Sequence, residues 1–201
     1  MAKDRRLAQG ERHLSRNRVC RLVFHDEDRH GRARCNVNSR SGSVTDLPPS
    51  AARVEEAARQ AGLAIEVTVM AQSTRTAEEA AAACGCAVGQ IVKSLLFRGA
   101  ATKKPILLLV SGANRVDERA VARYVGEKLE RPDADYVREV TGFAIGGIPP
   151  LGHAAPLTTY MDADLLNYDV VWAAAGTPAA VFKVEPEKLR EATAATVIAV
   201  G

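Results

Sequence analysis

Gln90 to Phe97 reads Gln-Ile-Val-Lys-Ser-Leu-Leu-Phe and closes on Arg98-Gly99. A run this rich in branched and aromatic residues is the pattern of a β-strand. Alternation puts Ile91, Lys93, Leu95 and Phe97 on one face and Val92, Ser94 and Leu96 on the other. Both faces are largely apolar, as for a strand covered on both sides. Lys93 stands in its middle. Two settings suit it: a pocket built around the amine, or a barrel mouth or sheet edge from which the chain snorkels to water, since lysine is seldom fully buried.

The chain length, 201 residues, fits one domain with an appendage. Apolar content of 47% and charged content of 25% are those of a soluble globular protein. Apolar runs fall far short of a membrane span, and no apolar signal core follows the first basic residues, so the expectations are no membrane partner and a cytoplasmic location. Cys20, Cys35, Cys84 and Cys86 form no CxxC pair and have no clustered histidines. They imply neither a zinc site nor a disulfide framework, and Cys84 and Cys86 read as small packing residues.

Charge is unevenly spread. Residues 1–47 hold 11 of the 27 Lys+Arg and 6 of the 24 Asp+Glu, a net of +5, which leaves a net of −2 on the rest. This leader is poor in apolar residues, with a short cluster only from Val19 to Phe24. Disorder is the first expectation. A basic arm for nucleic acid is a second. A third is a start codon placed too early, so that Met1 to about Asp46 is not made. The acidic remainder argues against a broad nucleic-acid surface on the main domain, 48–201.

Leu47-Pro48-Pro49-Ser50 marks the boundary, with Ser50 as the expected cap of a helix from Ala51 to Ala61 that Gly62 ends. Ala64 to Met70 alternates as a strand. Thr76 and Glu79 have capping-box spacing for a helix that stops at Gly85. After the Lys93 strand, Lys103-Lys104-Pro105 reads as a turn and Ile106 to Val110 as a second buried strand. Asn114 to Arg131 reads as a helical region with Asp117 as N-cap. Arg115, Arg119 and Arg123 near its start form either a phosphate-holding strip or a solvated face. A short helix is expected from Tyr136 to Val140. Leu157 to Met161 reads as a strand ending in Asp162. Val170–Ala174 and Ala179–Val184 read as a hairpin around Ala175-Gly176-Thr177-Pro178. Pro186 opens a last helix to Ala195, and Val197 to Val200 forms an edge strand.

Between these elements lies Thr141-Gly142-Phe143-Ala144-Ile145-Gly146-Gly147-Ile148-Pro149-Pro150-Leu151-Gly152-His153. Four glycines and two prolines in 13 residues exclude a helix or a central strand. Glycines allow backbone to approach a ligand, and prolines fix the loop's path. The segment lacks GxxxxGK[ST] and GxGxxG, so it is no phosphate-binding loop of those kinds. It serves as a structural crossover or as a ligand-facing loop. His153, with no base or metal partner nearby in sequence, suits a structural role. No Ser-His-Asp set, HExxH or paired-carboxylate signature appears.

A strand lysine, a TGxxxGGxPPxG loop about fifty residues later and an AGTP turn together resemble the YbaK/EbsC-like aminoacyl-tRNA editing family, whose domain is also found in or beside bacterial prolyl-tRNA synthetases. The matching residues are Thr76 to Gly85 leading into Ile91–Phe97, then Thr141 to Gly152, Tyr160-Met161-Asp162 and Ala175-Gly176-Thr177-Pro178. The resemblance covers about residues 48–200. It implies a mixed α/β fold, a twisted barrel-like sheet surrounded by helices. It implies hydrolysis of the ester between a mischarged small amino acid and the acceptor end of tRNA, without metal or other cofactor, and a synthetase as a further partner. The family's lysine maps onto Lys93 as catalytic residue. The substrate-binding set it implies is Thr141, Gly142, Gly146, Gly147, Ile148, Pro149, Pro150, Gly152, His153, Ala175, Gly176 and Thr177. The branch that removes cysteine from proline tRNA has a tyrosine, a serine and an acid where this chain has Met70, Ala174 and Val181, so cysteinyl-tRNA specificity is not implied. A non-catalytic tRNA- or synthetase-binding module on the same fold is the alternative.

Overall fold

The computed structural model describes residues 47–71 and 76–201. The basic leader and the expectations attached to it lie outside these residues. Helix α1 (Pro49–Gln60) starts earlier than the sequence suggests. Pro49 supplies a first-turn residue that has no N–H to satisfy, and Pro48 takes the cap position without a side-chain bond, so Ser50 lies inside the helix and does not cap it. Strand β1 (Val67–Val69) is shorter than its alternating run. Helix α2 (Ala77–Cys84) begins where Thr76 Oγ1 accepts from the Glu79 N–H, at 3.2 Å, and ends on Gly85 in the left-handed region.

Strands β2 (Ile91–Gly99) and β3 (Pro105–Ser111) form a long antiparallel pair. Helix α3 (Glu118–Val125) is much shorter than the expected 114–131 region. Asp117 caps it as anticipated, but Gly126, at φ +87°, stops it, and Leu129–Glu130 become strand β4 beside the end of β2. Helix α4 (Ala134–Thr141) is capped by Asp133 and closed by Gly142. Strand β5 (Thr158–Asp162) leads into a 3-10 turn capped by the Asp162 carboxylate. Strands β6 (Val171–Ala174) and β7 (Ala180–Val184) make the hairpin. Helix α5 (Pro186–Thr193) and strand β8 (Thr196–Ile198) complete the domain.

The eight strands form one mixed sheet in the order β1-β7-β6-β2-β3-β5-β8, with β4 appended to β2. The β2–β6, β3–β5 and β5–β8 pairs are parallel. The sheet has two ends, β1 and β8, so the strand path is open. Both faces are covered. Val92, Leu96, Leu107, Leu109 and Met161 pack with residues of α1, α4 and α5 in the larger core. Phe97, Ile106, Leu108 and Val110 pack with Val121 of α3 and Ile198 in the smaller one. Leu107, Leu108 and Leu109 are all fully buried, each worth about 2 kcal/mol of transfer free energy. This mixed α/β domain, with β2 covered on both sides, is the fold class that the two-faced β2 pattern and the family resemblance anticipate.

Candidate active site

A cleft of about 780 Å³ opens beside the middle of β2. Its existence follows from the sheet topology. β3 pairs with β2 along nearly all its length, but on the other edge β6 reaches only Ile91 and Val92, and β4 only Arg98 and Gly99. Between them the sheet has a window, and Lys93 to Phe97 line the cleft there.

Lys93 is half-buried at the upper end of this window. Its Nζ donates to the Gly112 carbonyl at 3.2 Å and to the Asn114 carbonyl. An ammonium has three donors, so one remains for the cleft. Burial pulls the Lys93 pKa below the ordinary lysine value; Glu78 and Asp162 push it back up, and Arg115 adds to the lowering. The two carbonyls sit on the loop after β3, and a buried carboxylate holds that loop. Asp162 is 2% exposed. Its Oδ2 accepts from the Ser111 N–H at 3.1 Å and from Asn114 Nδ2 at 2.9 Å, and its Oδ1 from the Asp164 N–H at 3.1 Å. Asn114 Nδ2 also reaches Asp164 Oδ2 at 2.7 Å. The amine is thus set by a polar network running from β2 through the β3 loop to β5.

The facing wall comes from the glycine-proline loop and the hairpin turn. Ile145, Gly146 and Ile148 of the loop and Thr177 and Pro178 of the turn line the cleft. Loop and turn touch backbone to backbone at Gly147, where an added Cβ would lie 2.8 Å from Thr177 Cα. The remaining expected residues support this wall from behind. Thr141, fully buried, donates from Oγ1 to the Val137 carbonyl at 2.7 Å and accepts from the Phe143 N–H at 3.0 Å. Arg53 of α1 donates to the Thr141 and Gly142 carbonyls at 3.3 and 3.2 Å and stacks on the Phe143 ring at 3.9 Å. Gly142, Pro149, Pro150, Gly152, His153, Ala175 and Gly176 are likewise outside the cleft lining. Gly176, at φ +84°, leaves room that a Cβ would take from Phe143 Cε1 and the Ser50 carbonyl, each 2.9 Å away.

His153 packs edge-on to Phe143, with ring centroids 6.1 Å apart. Neither ring nitrogen makes a well-formed hydrogen bond, and the Pro150 backbone offers only a weak one. Burial lowers its pKa to about 4; the Pro150 backbone offsets this in part, and Arg53 adds to the lowering. A neutral, weakly bonded imidazole behind the loop is a packing group.

Residues absent from the sequence-derived set also line the cleft: Asn114, Arg115, Arg131, Val137 and Trp172. Arg115 reads from the sequence as part of a phosphate-holding strip or solvated face; Asn114, three residues after a buried strand, could have drawn notice, and Arg131 and Trp172 carry no comparable signal. Arg115 joins the cleft, whereas Arg119 and Arg123 stay exposed outside its lining. Arg131 is paired with Glu118 at 2.8 Å. Ala174 and Val181 line the cleft as small apolar walls. Among the described residues, no group of three or more His, Cys, Asp or Glu is placed to hold a metal ion, and no helix is long and apolar enough to cross a membrane.

The cleft thus sets an amine at a gap in the sheet opposite the glycine-proline loop and the hairpin turn. The chain is 32% identical over 126 residues to the uncharacterized protein YwhH of Bacillus subtilis (strain 168), covering 63% of this chain and 80% of that one. It is 26% identical over 119 residues to the "Putative Cys-tRNA(Pro)/Cys-tRNA(Cys) deacylase EbsC" of Enterococcus faecalis (strain ATCC 700802 / V583), covering 59% and 72%. A crystal structure of "a putative trans-editing enzyme for prolyl tRNA synthetase" superposes with a TM-score of 0.73 at 50% identity, covering 77% of this chain and 98% of that one. The sequence profile of the aminoacyl-tRNA editing domain matches residues 71–192, from just after β1 almost to the end of α5, and the chain belongs to that family.

Proposed function

We propose that this protein hydrolyses the ester linking a mischarged small amino acid to the 3′ end of tRNA, acting in trans. The observation that carries the reading is the Lys93 ammonium, fixed by two backbone carbonyls with its third donor left for the cleft. An aminoacyl ester is already activated, so the protein must mainly orient water and stabilise the oxyanion. Water adds to the acyl carbon, the carbon–oxygen bond to the ribose breaks, and the proton lost by water ends on the ribose oxygen. Lys93 binds the acyl oxygen or the terminal ribose-phosphate as a cation, a role that its carbonyl partners and the nearby Glu78 and Asp162 favour. Gly146 and its neighbours offer backbone to the reacting centre without obstructing side chains. Arg115 near Lys93 and Arg131 beyond β4, both lining the cleft, suit the anionic acceptor end. The apolar walls at Ala174, Val181, Ile148 and Trp172 select a small side chain by size. No step here requires a metal or a cofactor.

The net charge of −2 outside the leader supports weak, salt-sensitive tRNA binding through the acceptor end, or recruitment by a synthetase. A panel of tRNAs charged with glycine, alanine, serine and cysteine, incubated with wild type and Lys93→Ala, tests the reading. Hydrolysis of one or more by wild type and its loss in Lys93→Ala is expected. No turnover on any of them would sink the enzyme and leave the non-catalytic binding module, which the apolar Ala174 and Val181 walls favour.

A further inference from the structure

The β2–β3 ladder dictates where each β2 peptide group points. The Gly112 N–H donates to the Ile91 carbonyl at 2.7 Å; at the other end Gly99 donates to the Lys104 carbonyl and accepts from the Lys103 N–H, both at 3.0 Å. Between these bonds the register runs without a bulge, from Val92 opposite Ser111 to Arg98 opposite Pro105. Odd-numbered residues of β2 therefore turn N–H and C=O toward β3, and even-numbered residues turn theirs the other way. On that side Val92 meets β6 and Arg98 meets β4. Ser94 and Leu96 meet no strand there among the described residues, and both line the cleft. Ser94 Oγ is also buried without a partner. Peptide groups at a partly buried edge call for partners.

We propose that the Ser94 peptide group is the subsite for the aminoacyl moiety itself, which docks as a one-residue strand; this rests on the deacylase reading. The window is closed at one end by β6 and at the other by β4, so it does not admit a through-running peptide strand. An aminoacyl ester carries an α-ammonium and a carbonyl on either side of one Cα, the spacing of one residue's N–H and C=O. Laid antiparallel, it exchanges two bonds with Ser94: the α-ammonium donates to the Ser94 carbonyl, and the acyl oxygen accepts from the Ser94 N–H. That polarity puts the scissile carbonyl on the Lys93 side and the ammonium toward Leu96. The Ser94 N–H then assists Lys93 in holding the oxyanion. An L-side chain falls on the face of Val92, Ser94 and Leu96, toward Ile148; a D-side chain would point to the opposite face. Docking at Leu96 instead would carry the ester two residues away from Lys93.

The test combines substrates and resonances. Alanyl-tRNA, lactyl-tRNA and N-acetylalanyl-tRNA differ only at the α-substituent. Hydroxyl for ammonium should lower kcat/KM about tenfold, as the charge assisting the bond is lost, and N-acetylation about 100-fold, as the charge is lost and the acetyl group runs into the end of the window that β4 closes. Titration with 3′-alanylamino-3′-deoxyadenosine, which cannot be hydrolysed as an ester, should move the backbone amide resonances of Ser94 and, through the Ser94 carbonyl, of Leu95, and leave that of Phe97, bonded to β3 and attached to an unused carbonyl, in place. Ser94→Pro removes a donor that the ladder does not use and should cost about 100-fold in kcat. Equal hydrolysis of alanyl- and N-acetylalanyl-tRNA, or analogue-induced shifts that spare Ser94, overturns the subsite and leaves the deacylase reading standing. If no aminoacyl-tRNA is hydrolysed while the analogue still moves Ser94, the deacylase reading falls and the subsite remains. If an extended peptide moves Ser94 and Leu96 and the analogue does not, the window is a strand-docking edge and the proposal is overturned.

Discussion

Lys93 and His153 are both titratable groups whose pKa burial lowers, on opposite sides of the same wall. Lys93 is met by two carbonyls and lies close enough to Glu78 and Asp162 for their charges to raise its pKa. His153 is met by an aromatic edge and has no well-formed hydrogen bond at either nitrogen. The first environment gives a half-buried amine two acceptors and nearby opposite charge. The second keeps a base neutral and uses it as volume. Burial alone therefore does not mark a working residue; the partners supplied at the buried atoms do.

The largest break in this contrast is Lys93→Ala, which should lower kcat/KM on the preferred aminoacyl-tRNA by about 100- to 1000-fold. The unfolding midpoint in urea should barely move, because the amine is only half-buried. A large stability loss without an activity loss would make Lys93 the structural partner of the pair. Next is Asp162→Ala. Removing a buried carboxylate that accepts three hydrogen bonds leaves the Ser111 and Asp164 N–H groups and the Asn114 amide short of a partner. The cost should be about 3 kcal/mol in denaturant unfolding, with kcat falling about tenfold as the carbonyls that hold Lys93 loosen.

His153 yields a pH effect. Its folded pKa of about 4 lies below the ordinary 6.5, so the unfolded chain binds the extra proton first. Its contribution is complete above pH 6.5 and is lost as pH falls toward 4, in total about 2–3 kcal/mol after allowing for partial exposure. Urea titrations at pH 7.5, 5.5 and 4 should show the slope, and His153→Leu should flatten it; an unchanged slope would assign it to other groups. The smallest effect is expected from Gly147→Ala, whose new Cβ meets the Thr177 backbone. Loop and turn must separate slightly, at a cost of about 1–2 kcal/mol in thermal unfolding, with KM for the aminoacyl-tRNA raised a few-fold.

Much of the fold was legible because its signals are local. Thr76, Gly85 and Asp117 each fix their element within four residues, whereas the turn expected at Lys103-Lys104-Pro105 falls at residues 100–102 and Pro105 opens β3. The failure at 114–131 has the same origin: Gly126 was a stop signal inside an apolar stripe, and β4 exists only because Arg98 and Gly99, about thirty residues earlier, pair with it. At the site, Lys93 and the loop were readable as one lysine among apolar residues and as glycines and prolines in number. Which loop residues face the cleft was not readable, since Arg53 of α1 and Phe143 set the loop's back. Asp162 reads as the end of a strand, the start of a capped turn and one of the family-matching residues, with no sign of its part in seating Lys93. Nothing near it in sequence reveals that its carboxylate reaches Asn114, 48 residues away.

That long reach has a consequence during synthesis. Lys93 leaves the ribosome well before the loop after β3, and that loop takes its shape only when Asp162 arrives on β5. The far wall waits longer still, for Thr177 and the β6–β7 hairpin. A nascent chain ending before Asp162 thus carries its lysine without the carboxylate that holds its seat, and one ending before about residue 180 lacks the opposing wall. The cleft's two walls therefore come together only as the last third of the domain docks, late in synthesis.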